Sequence, residues 1–213
     1  MTIRTASLDD LDGIMDAEKD WPEGQRAGRD KFVARLEKFG EGLFVAEMDG
    51  RIVATSSSCL MHYDPAHPEK CKSWDAVTNN GYIWRRDEIE NPNALYIAAI
   101  GIKKEYRAHG LFQKFALAQV ALAEKLRLPY VVAGPVLPRY DAYCKEHGEI
   151  PAEEYAFKKA GQRLVDPLLE IWRGINFFVP DGKHVIQNYY EDAKSRHYSA
   201  LVVYETGKSE SRR

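Results

Sequence analysis

The chain has 213 residues, of which 45% are hydrophobic and 29% charged, and its formal net charge is −2. This length and composition are typical of one globular domain with a hydrophobic core, so we predict a single domain over residues 1–206 and a polar tail over 207–213. The near-neutral charge lacks the basic excess expected for nucleic acid or an anionic membrane, and no apolar run is long enough to cross a bilayer.

Cysteine usage and the first residues bear on the cellular compartment. Cys59, Cys71 and Cys144 are scattered and form no CxxC pair, which is typical of reduced thiols rather than a disulfide framework. The N-terminal residues lack the apolar core of a secretory signal. We therefore expect a cytoplasmic protein.

The first elements read as a strand and two helices. Thr2–Thr5 fits a short edge strand, and Ser7 with Asp10 three residues later resembles a capping box that opens a helix. Asp30–Phe39 carries apolar residues at helical spacing and predicts a second helix.

A hairpin and a long polar segment follow. Leu43–Met48 and Arg51–Ser56 flank Asp49-Gly50, and a two-residue Asp-Gly loop favours the type I′ turn of an antiparallel hairpin. Asp64–Asn93 is polar and long for a loop, which indicates a functional segment or short elements within it.

The centre of the chain predicts a parallel strand pair. Ala94–Ile102 is a nearly continuous apolar run typical of a buried strand, Leu111–Leu126 fits a helix with one apolar side, and Tyr130–Ala133 is again a strand. This strand–helix–strand order implies parallel neighbours.

The last third is less regular. Residues 135–165 read as turns with a short helix at Pro151–Ala160, and Asp166-Pro167 resembles an N-cap followed by an N1 proline that opens a helix to about Ile175. Three closing strands are predicted, at Phe177–Val179, Val185–Gln187 and Ala200–Tyr204.

The turn after the buried strand is the clearest candidate for a binding site. Arg107, His109 and Gly110 precede a helix, whose first backbone N–H groups and dipole attract an anion such as a pyrophosphate. From these residues alone, an ordinary strand–helix turn with a solvated arginine is an equally good interpretation. The sequence contains no P-loop motif and no GxGxxG after a strand.

This segment resembles motif A of the GNAT superfamily of N-acetyltransferases. The motif is written [Q/R]-x-x-G-x-[G/A] and reads here Arg107-Ala108-His109-Gly110-Leu111-Phe112, with Phe112 departing from its last position. The order of elements is also similar, and further segments resemble a bacterial branch of the superfamily: residues 21–27, 39–54, 73–82, 131–143 and 187–192.

The resemblance implies a fold and a co-substrate. The fold would be an α+β (α/β/α) sandwich with a mixed, mostly antiparallel sheet, a splayed parallel strand pair and helices on both faces. The co-substrate would be acetyl-CoA or another acyl-CoA, with no metal. Its pantetheine arm would lie along Ile100, Gly101 and Ile102, and the amides of Arg107, Ala108, His109, Gly110, Leu111 and Phe112 would hold the pyrophosphate.

The implied reaction is direct attack of a primary amine on the thioester, with a backbone N–H near Ile100 polarising the carbonyl. Glu88, together with Glu90, precedes the central strand, where several relatives place a general base, although most surface carboxylates are only solvated. Many members use a tyrosine as general acid, but Trp172 occupies that position and its indole cannot act as the acid. Either another group protonates the thiolate, or no acid is required, or the alignment is shifted. Tyr140 and Tyr143 are substitutes, of which we name Tyr140, and a packing role is its alternative.

The acceptor is expected near the 64–93 segment and the first helices. Trp21 and Trp74 fit the lining of an acceptor pocket or a core. The acceptor itself stays open between a small amine and a protein lysine, as does a homodimer, because members of the superfamily often dimerise. Two rival readings are a non-catalytic acyl-CoA-binding sensor or scaffold, motivated by Trp172, and a module that binds a protein partner through residues 64–93.

Overall fold

The computed structural model describes residues 1–21 and 23–207. Its strands are β1 Thr2–Thr5, β2 Leu43–Met48, β3 Arg51–Met61, β4 Ala94–Ile102, β5 Tyr130–Ala133, β6 Lys159–Ala160, β7 Arg163–Leu164, β8 Val185–Gln187, β9 Tyr198–Ala200 and β10 Val202–Glu205. Its α-helices are α1 Leu11–Glu18, α2 Arg29–Phe39, α3 Trp74–Thr78, α4 Leu111–Lys125, α5 Tyr140–His147, α6 Ala152–Phe157 and α7 Pro167–Arg173. Except for Gly207, the predicted polar tail lies outside the described residues.

The main sheet has the order β1-β2-β3-β4-β5-β10. Strands β4 and β5 run parallel, whereas every other neighbouring pair of this sheet is antiparallel in the described part of the chain. The helix α4 connects the parallel pair, as the strand–helix–strand pattern predicted. The mixed, mostly antiparallel sheet of the α+β prediction is therefore confirmed.

Helices cover both faces of this sheet, as predicted. On one face, α1 and α2 bury Ile14 and Phe32 in a cluster with Val45 of β2. On the other face, α4 buries Phe115 in a cluster with Ala46 of β2. Because successive residues of a strand point to opposite faces, β2 contributes Val45 to one core and Ala46 to the other.

The predicted hairpin forms with the predicted turn. Asp49 and Gly50 have φ angles of 50° and 72°, the left-handed values that a type I′ turn requires at both central positions. Strand β3 continues well past Ser56 to Met61, and its extension pairs with the first half of β4. The hairpin thereby connects the N-terminal strands to the centre of the sheet.

The long polar segment holds short elements, as its length indicated. Within residues 64–93 lie α3 and two short 3-10 helices, at Pro68–Cys71 and Arg86–Glu88. Ser73 caps α3, because its hydroxyl accepts a hydrogen bond from the backbone N–H of Ala76 at 3.2 Å. Cys71, Val77 and Ile83 of this segment pack against Cys59 and Tyr96, so the segment covers the part of the α1–α2 face of the sheet that those helices leave open.

Some predictions for the last third are wrong. Tyr140–His147 forms the helix α5 within the stretch read as turns. The stretch Phe177–Val179 is no strand, although Phe178 bridges Val203. The strand predicted over residues 200–204 is divided at Leu201, whose N–H donates to His184 at the edge of the small β8–β9 sheet. The helix α7 begins at Pro167 with Asp166 as its N-cap, as predicted, but ends at Arg173.

The three cysteines are free and buried. Among the described residues, no helix has both the length and the apolar character that a membrane crossing requires.

Candidate functional site

A β-bulge divides β4 into two halves. Ser58 of β3 pairs with Ile97 and Ser57 pairs with Ala99, so Ala98 is an extra residue in β4. A bulge of this kind bends the strand and increases its local twist.

The bulge also changes which residues of the strand face α4, from odd-numbered positions before it to even-numbered positions after it. Before it, Leu95 and Ile97 pack in the cluster beneath α4; after it, Ile100 and Ile102 pack on that side. The Cα hydrogen of Gly101 that would be replaced by a side chain therefore points to the opposite face of the sheet, which α1 covers.

The parallel strands separate at the bulge. Their pairing ends at Ile97 and Ala133, and the chain after β5 turns away from β4: Val136 bridges Ser199, and Pro135 accepts from the N–H of Ala200 at 3.0 Å. The second half of β4 consequently borders an opening on its β5 side. This is the splayed pair that the resemblance implied.

The backbone of β4 presents polar groups to that opening. Lys103 donates its N–H to Val53 of β3 at 3.0 Å. Because neighbouring residues of a strand direct their backbone groups to alternate sides, those of Ile100 and Ile102 point away from β3 and toward the opening. Arg107 adds a guanidinium there, since its Nε donates to the carbonyl oxygen of Ile102 at 3.3 Å.

The turn after β4 has the shape of an anion-binding helix start. A 3-10 helix, Lys104–His109, leads to Gly110, which has φ 67° and ψ 20°, and α4 begins at the next residue. A Cβ on Gly110 would meet only the Gln113 side chain, at 3.9 Å, so the left-handed backbone and not crowding favours glycine. Arg107 and His109 are exposed beside the turn.

The departure at Phe112 has a structural partner. Its ring lies edge-to-face with that of Trp172, and Trp172 also contacts Phe177, with 4.8 Å between ring centroids in both pairs. Trp172 is 4% exposed. The residue at the usual acid position is thus part of the core beneath α4.

Tyr140 is held in the core by its hydroxyl, which donates to the carbonyl oxygen of Ile150 at 2.7 Å. Its ring contacts Tyr155 and Tyr198. Burial raises the pKa of Tyr140 to about 12. To act as an acid, the phenol would have to give up this hydrogen bond, and its role stays a prediction.

Glu88 lies at the other end of β4. It lines a cavity of about 600 Å³ that also includes Met61, which pairs with Ala94 at the beginning of the strand. Its carboxylate accepts from the N–H of Arg85 at 2.6 Å. Six residues of extended strand, roughly 20 Å, separate this end of β4 from Ile100. The structure therefore does not bring Glu88 next to Ile100, and its role as a base stays a prediction.

A polar cluster that the sequence analysis did not find surrounds Gly101. A Cβ at Gly101 would lie 2.6 Å from Trp21 Nε1, 3.3 Å from Thr55 Oγ1 and 3.5 Å from Glu18 Oε1. The indole thus rests against Gly101, and only glycine leaves room for it. Gly101 has a reason to be glycine that is separate from any pantetheine contact.

Glu18 is the acidic member of this cluster. The residue is 6% exposed, and its carboxylate accepts from the N–H of Ala27 at 3.2 Å. Burial raises the pKa of the Glu18 carboxyl, although that N–H and the charges of Arg35 and Arg26 act in the opposite direction. A carboxylate with a raised pKa is suited to accept a proton.

Arg35 and Trp74 continue the cluster along the strand. Arg35 is 3% exposed; its Nε donates to Gly81 at 2.8 Å and its Nη1 to the Ser57 hydroxyl at 3.2 Å. Trp74 donates its indole N–H to the carbonyl oxygen of Ala98 at 2.8 Å. The side chains of Trp21 and Trp74 therefore flank the second half of β4, and their role at an acceptor pocket stays a prediction.

A sequence signal for the two charged residues existed. Arg35 lies three residues after Phe32 on the apolar side of α2, and Glu18 lies four residues after Ile14 on the apolar side of α1. A charged residue within an apolar helical stripe is seldom buried unless it has a partner or a function.

No family model matches the chain. A Bacillus subtilis (strain 168) protein named "uncharacterized N-acetyltransferase YkwB" is 25% identical over 210 residues, which cover 95% of this chain and 87% of that protein. The "probable hydrolase YhcX" of the same organism is 30% identical over 172 residues, 79% of this chain. The chain spans about a third, 32%, of the length of that protein.

Solved structures share the fold. The loading GNATL domain of CurA from Lyngbya majuscula has a TM-score of 0.78 at 20% identity, covering 96% of both chains. The GphF GNAT-like decarboxylase in complex with isobutyryl-CoA has a TM-score of 0.75 at 20% identity, covering 96% of this chain and 99% of that one. Naa20 from Chaetomium thermophilum has a TM-score of 0.61 at 13% identity, covering 100% and 90%. The chain therefore has the α+β fold of these GNAT structures.

Proposed function

We propose that this chain is an acyl-CoA-dependent N-acyltransferase that transfers an acyl group, acetyl in the simplest case, to a primary amine. The observation that carries the proposal is the opening between β4 and β5 beyond Ile97 and Ala133, which leads to the helix start at Gly110. The relative named an N-acetyltransferase and the related decarboxylase in complex with isobutyryl-CoA support it.

In this proposal, coenzyme A lies along the second half of β4. The backbone groups of Ile100 and Ile102 hydrogen-bond the pantetheine arm, and the amides of residues 107–112 hold the pyrophosphate at the N-terminus of α4. The Arg107 side chain, bonded to the Ile102 carbonyl oxygen, adds positive charge beside the phosphates.

The amine attacks the thioester from the face that carries Gly101. The backbone N–H of Ile100 stabilises the oxyanion that forms; when it collapses to the amide carbonyl, the C–S bond breaks and CoA leaves as the thiolate. Glu18 takes the amine proton, since its carboxylate lies beside Gly101 and its pKa is raised. Glu88 stays the alternative base, although the position of the Glu18 carboxylate beside Gly101 favours Glu18. Tyr140 stays the predicted acid that protonates the CoA thiolate.

A second candidate reaction is decarboxylation of an acyl-CoA that carries a carboxylate on its α-carbon. The higher TM-score of the GNAT-like decarboxylase, compared with that of Naa20, favours it. In that reaction the bond to the carboxylate breaks, CO2 leaves, the electron pair forms the thioester enolate, and the α-carbon takes a proton. The same CoA site serves both reactions.

Calorimetry with acetyl-CoA and free CoA tests the co-substrate site. We expect binding by the wild type and its loss in Gly110→Glu, because the added carboxylate faces the pyrophosphate. Gly110→Gln is the matched control: it has the same size and the same backbone cost without the charge, and it should keep measurable binding. Folded wild-type protein that binds neither ligand would overturn the proposal.

Assays of acyl-CoA turnover distinguish the transferase, the decarboxylase and the non-catalytic sensor. Thiol release from acetyl-CoA that depends on an added primary amine supports the transferase. Conversion of malonyl-CoA to acetyl-CoA and CO2 without an amine supports the decarboxylase. Binding of acyl-CoA with neither reaction would favour the non-catalytic sensor.

A further inference from the structure

Arg35 is a buried cation whose hydrogen-bond partners carry no charge. Its guanidinium bonds the carbonyl oxygen of Gly81 and the hydroxyl of Ser57, and it forms no salt bridge within the described residues. Other guanidiniums of the chain, all more exposed, bind carboxylates: Arg4, Arg29, Arg173 and Arg196.

The two hydrogen bonds explain how Arg35 is held but not why the residue is charged. Burial of a cation costs free energy unless an opposite charge lies beside it. The Phe32 ring, 4.9 Å from Arg35 Cζ, offsets part of that cost. Glu18 interacts with Arg35 electrostatically without contacting it. A bidentate anionic partner is absent from the described chain.

The guanidinium lies beside the open half of β4. A Cβ on Gly81 would be 3.0 Å from Arg35 Nη2 and 3.2 Å from Trp74 Cη2, so both groups meet at one point. Trp74 bonds the carbonyl oxygen of Ala98, and Ser57, which bonds Arg35, pairs with Ala99. Ala98 and Ala99 are only half-buried, so this part of the central strand is accessible to a ligand.

We propose that Arg35, oriented by Gly81 and Ser57, binds a carboxylate of the substrate on the acceptor side of the β4 opening. The inference rests on the proposed function and specifies the substrate class of the same site. Arginine presents two parallel N–H groups to a carboxylate, which gives directional binding that a lysine cannot reproduce.

The carboxylate has two chemical sources: an amine acceptor that carries one, as an amino acid does, or the acyl group of a carboxyacyl-CoA. The position of Glu18 favours the acceptor. Thr55, beside Glu18, and Ser57, beside Arg35, are two residues apart on one face of β3, so roughly 7 Å of strand separates the two positions that these charged side chains reach. A carboxylate at Arg35 and an amine near Glu18 fit that spacing.

The experiment compares wild type with Arg35→Lys, which keeps the charge, and with Arg35→Met, which removes it. One arm uses amine pairs that differ in a carboxylate, L-leucine against isopentylamine and L-phenylalanine against 2-phenylethylamine, with acetyl-CoA as donor. The other arm uses donor pairs, malonyl-CoA against acetyl-CoA and succinyl-CoA against propionyl-CoA. Calorimetry with free CoA accompanies every variant.

We expect Arg35→Lys to bind free CoA like wild type and to raise KM at least tenfold for the carboxylate-bearing member of the affected pairs, with less than a twofold change for its partner. A selective effect on the amine pairs identifies an amino-acid-like acceptor, and one on the donor pairs identifies a carboxyacyl-CoA. If Arg35→Lys changes KM equally for both members of every pair, the proposal is overturned. If the folded wild type does not bind CoA, the proposed function itself is refuted.

If no pair supports turnover, the CoA-bound protein is titrated with L-leucine and isopentylamine by ligand-observed NMR. Binding of L-leucine that weakens at least fivefold in Arg35→Lys supports the proposal. Equal binding of both compounds overturns it. So does no binding of L-leucine, if Arg35→Lys also leaves the affinities of the CoA-free protein for malonyl-CoA and succinyl-CoA unchanged. Arg35→Lys carries the conclusion if Arg35→Met does not fold.

Discussion

Phe112 and Trp172 are in edge-to-face contact, with 4.8 Å between ring centroids and 76° between the ring planes. These are the two positions at which the chain departs from the GNAT pattern: the last residue of the pyrophosphate motif and the usual acid position. The departures are therefore one packing arrangement, in which a pair of aromatic side chains joins the start of α4 to α7.

This contact predicts an energetic coupling between the two positions. We expect Phe112→Leu and Trp172→Leu to lower the free energy of unfolding, and the double variant to lose about 0.5–1.5 kcal/mol less than the sum of the single losses. Urea denaturation of the four proteins gives the coupling. Strict additivity would show that the ring contact contributes nothing beyond area burial.

The position of Glu18 predicts a loss of turnover without a loss of co-substrate binding. We expect Glu18→Gln to lower kcat about 10²-fold or more, because amide nitrogen and oxygen cannot take the amine proton. Free CoA should bind with unchanged affinity in calorimetry. Glu88→Gln is the matched control, and a loss at Glu88 with none at Glu18 would restore the sequence-based assignment.

The raised pKa of Glu18 also predicts a pH dependence of stability. A carboxyl whose pKa is higher in the folded than in the unfolded state binds more protons when folded, so its contribution falls as pH rises from its ordinary value near 4.5 through the folded value. We expect Glu18→Gln to be more stable than wild type at pH 7, with the gain disappearing below about pH 4. Denaturation at several pH values tests this; a gain that is constant with pH would contradict it.

The contact of Trp21 with Gly101 predicts that even one methyl group is harmful there. In Gly101→Ala the new Cβ would lie 2.6 Å from the indole, so Trp21 has to move. We expect a loss of about 1–3 kcal/mol in the free energy of unfolding, together with reduced turnover. Gly40→Ala is the control, because φ is −59° and nothing lies within 4 Å of its Cβ. Equal effects of both changes would contradict the role given to Trp21.

The hydrogen bond of Tyr140 predicts a structural rather than a chemical effect. We expect Tyr140→Phe to lose about 1 kcal/mol of stability, because the carbonyl oxygen of Ile150 loses its donor, and to keep most of its turnover. Initial rates and denaturation midpoints separate the two effects. A 10²-fold fall in kcat with unchanged folding would instead assign Tyr140 as the acid.

Local patterns predicted the elements that carry their own signal. The Asp49-Gly50 turn, the apolar run Ala94–Ile102 and the Asp166-Pro167 helix start all appear where the sequence placed them. The helix α5 was missed, although Tyr140 and Cys144 lie on its buried side, because aromatic residues near glycine and proline resemble a turn region.

The site was predictable only where one segment forms it. The turn at Gly110 follows from a contiguous motif. The cluster of Glu18, Arg35 and Trp74 joins three separate elements to β4, and the bulge at Ala98 decides which face of the strand they meet. Nothing in the order of residues shows that such distant side chains converge.

The bulge in β4 has a consequence for how this chain tolerates change. After Ala98, the side chains of Ile100 and Ile102 pack beneath α4, while the groups that face the opening belong to the main chain. Substitutions that preserve apolar volume at these positions leave the main-chain groups in place. Homologous proteins can therefore diverge widely along this strand and still retain the same ligand contacts, so alignments of side chains underestimate how far the binding surface is shared.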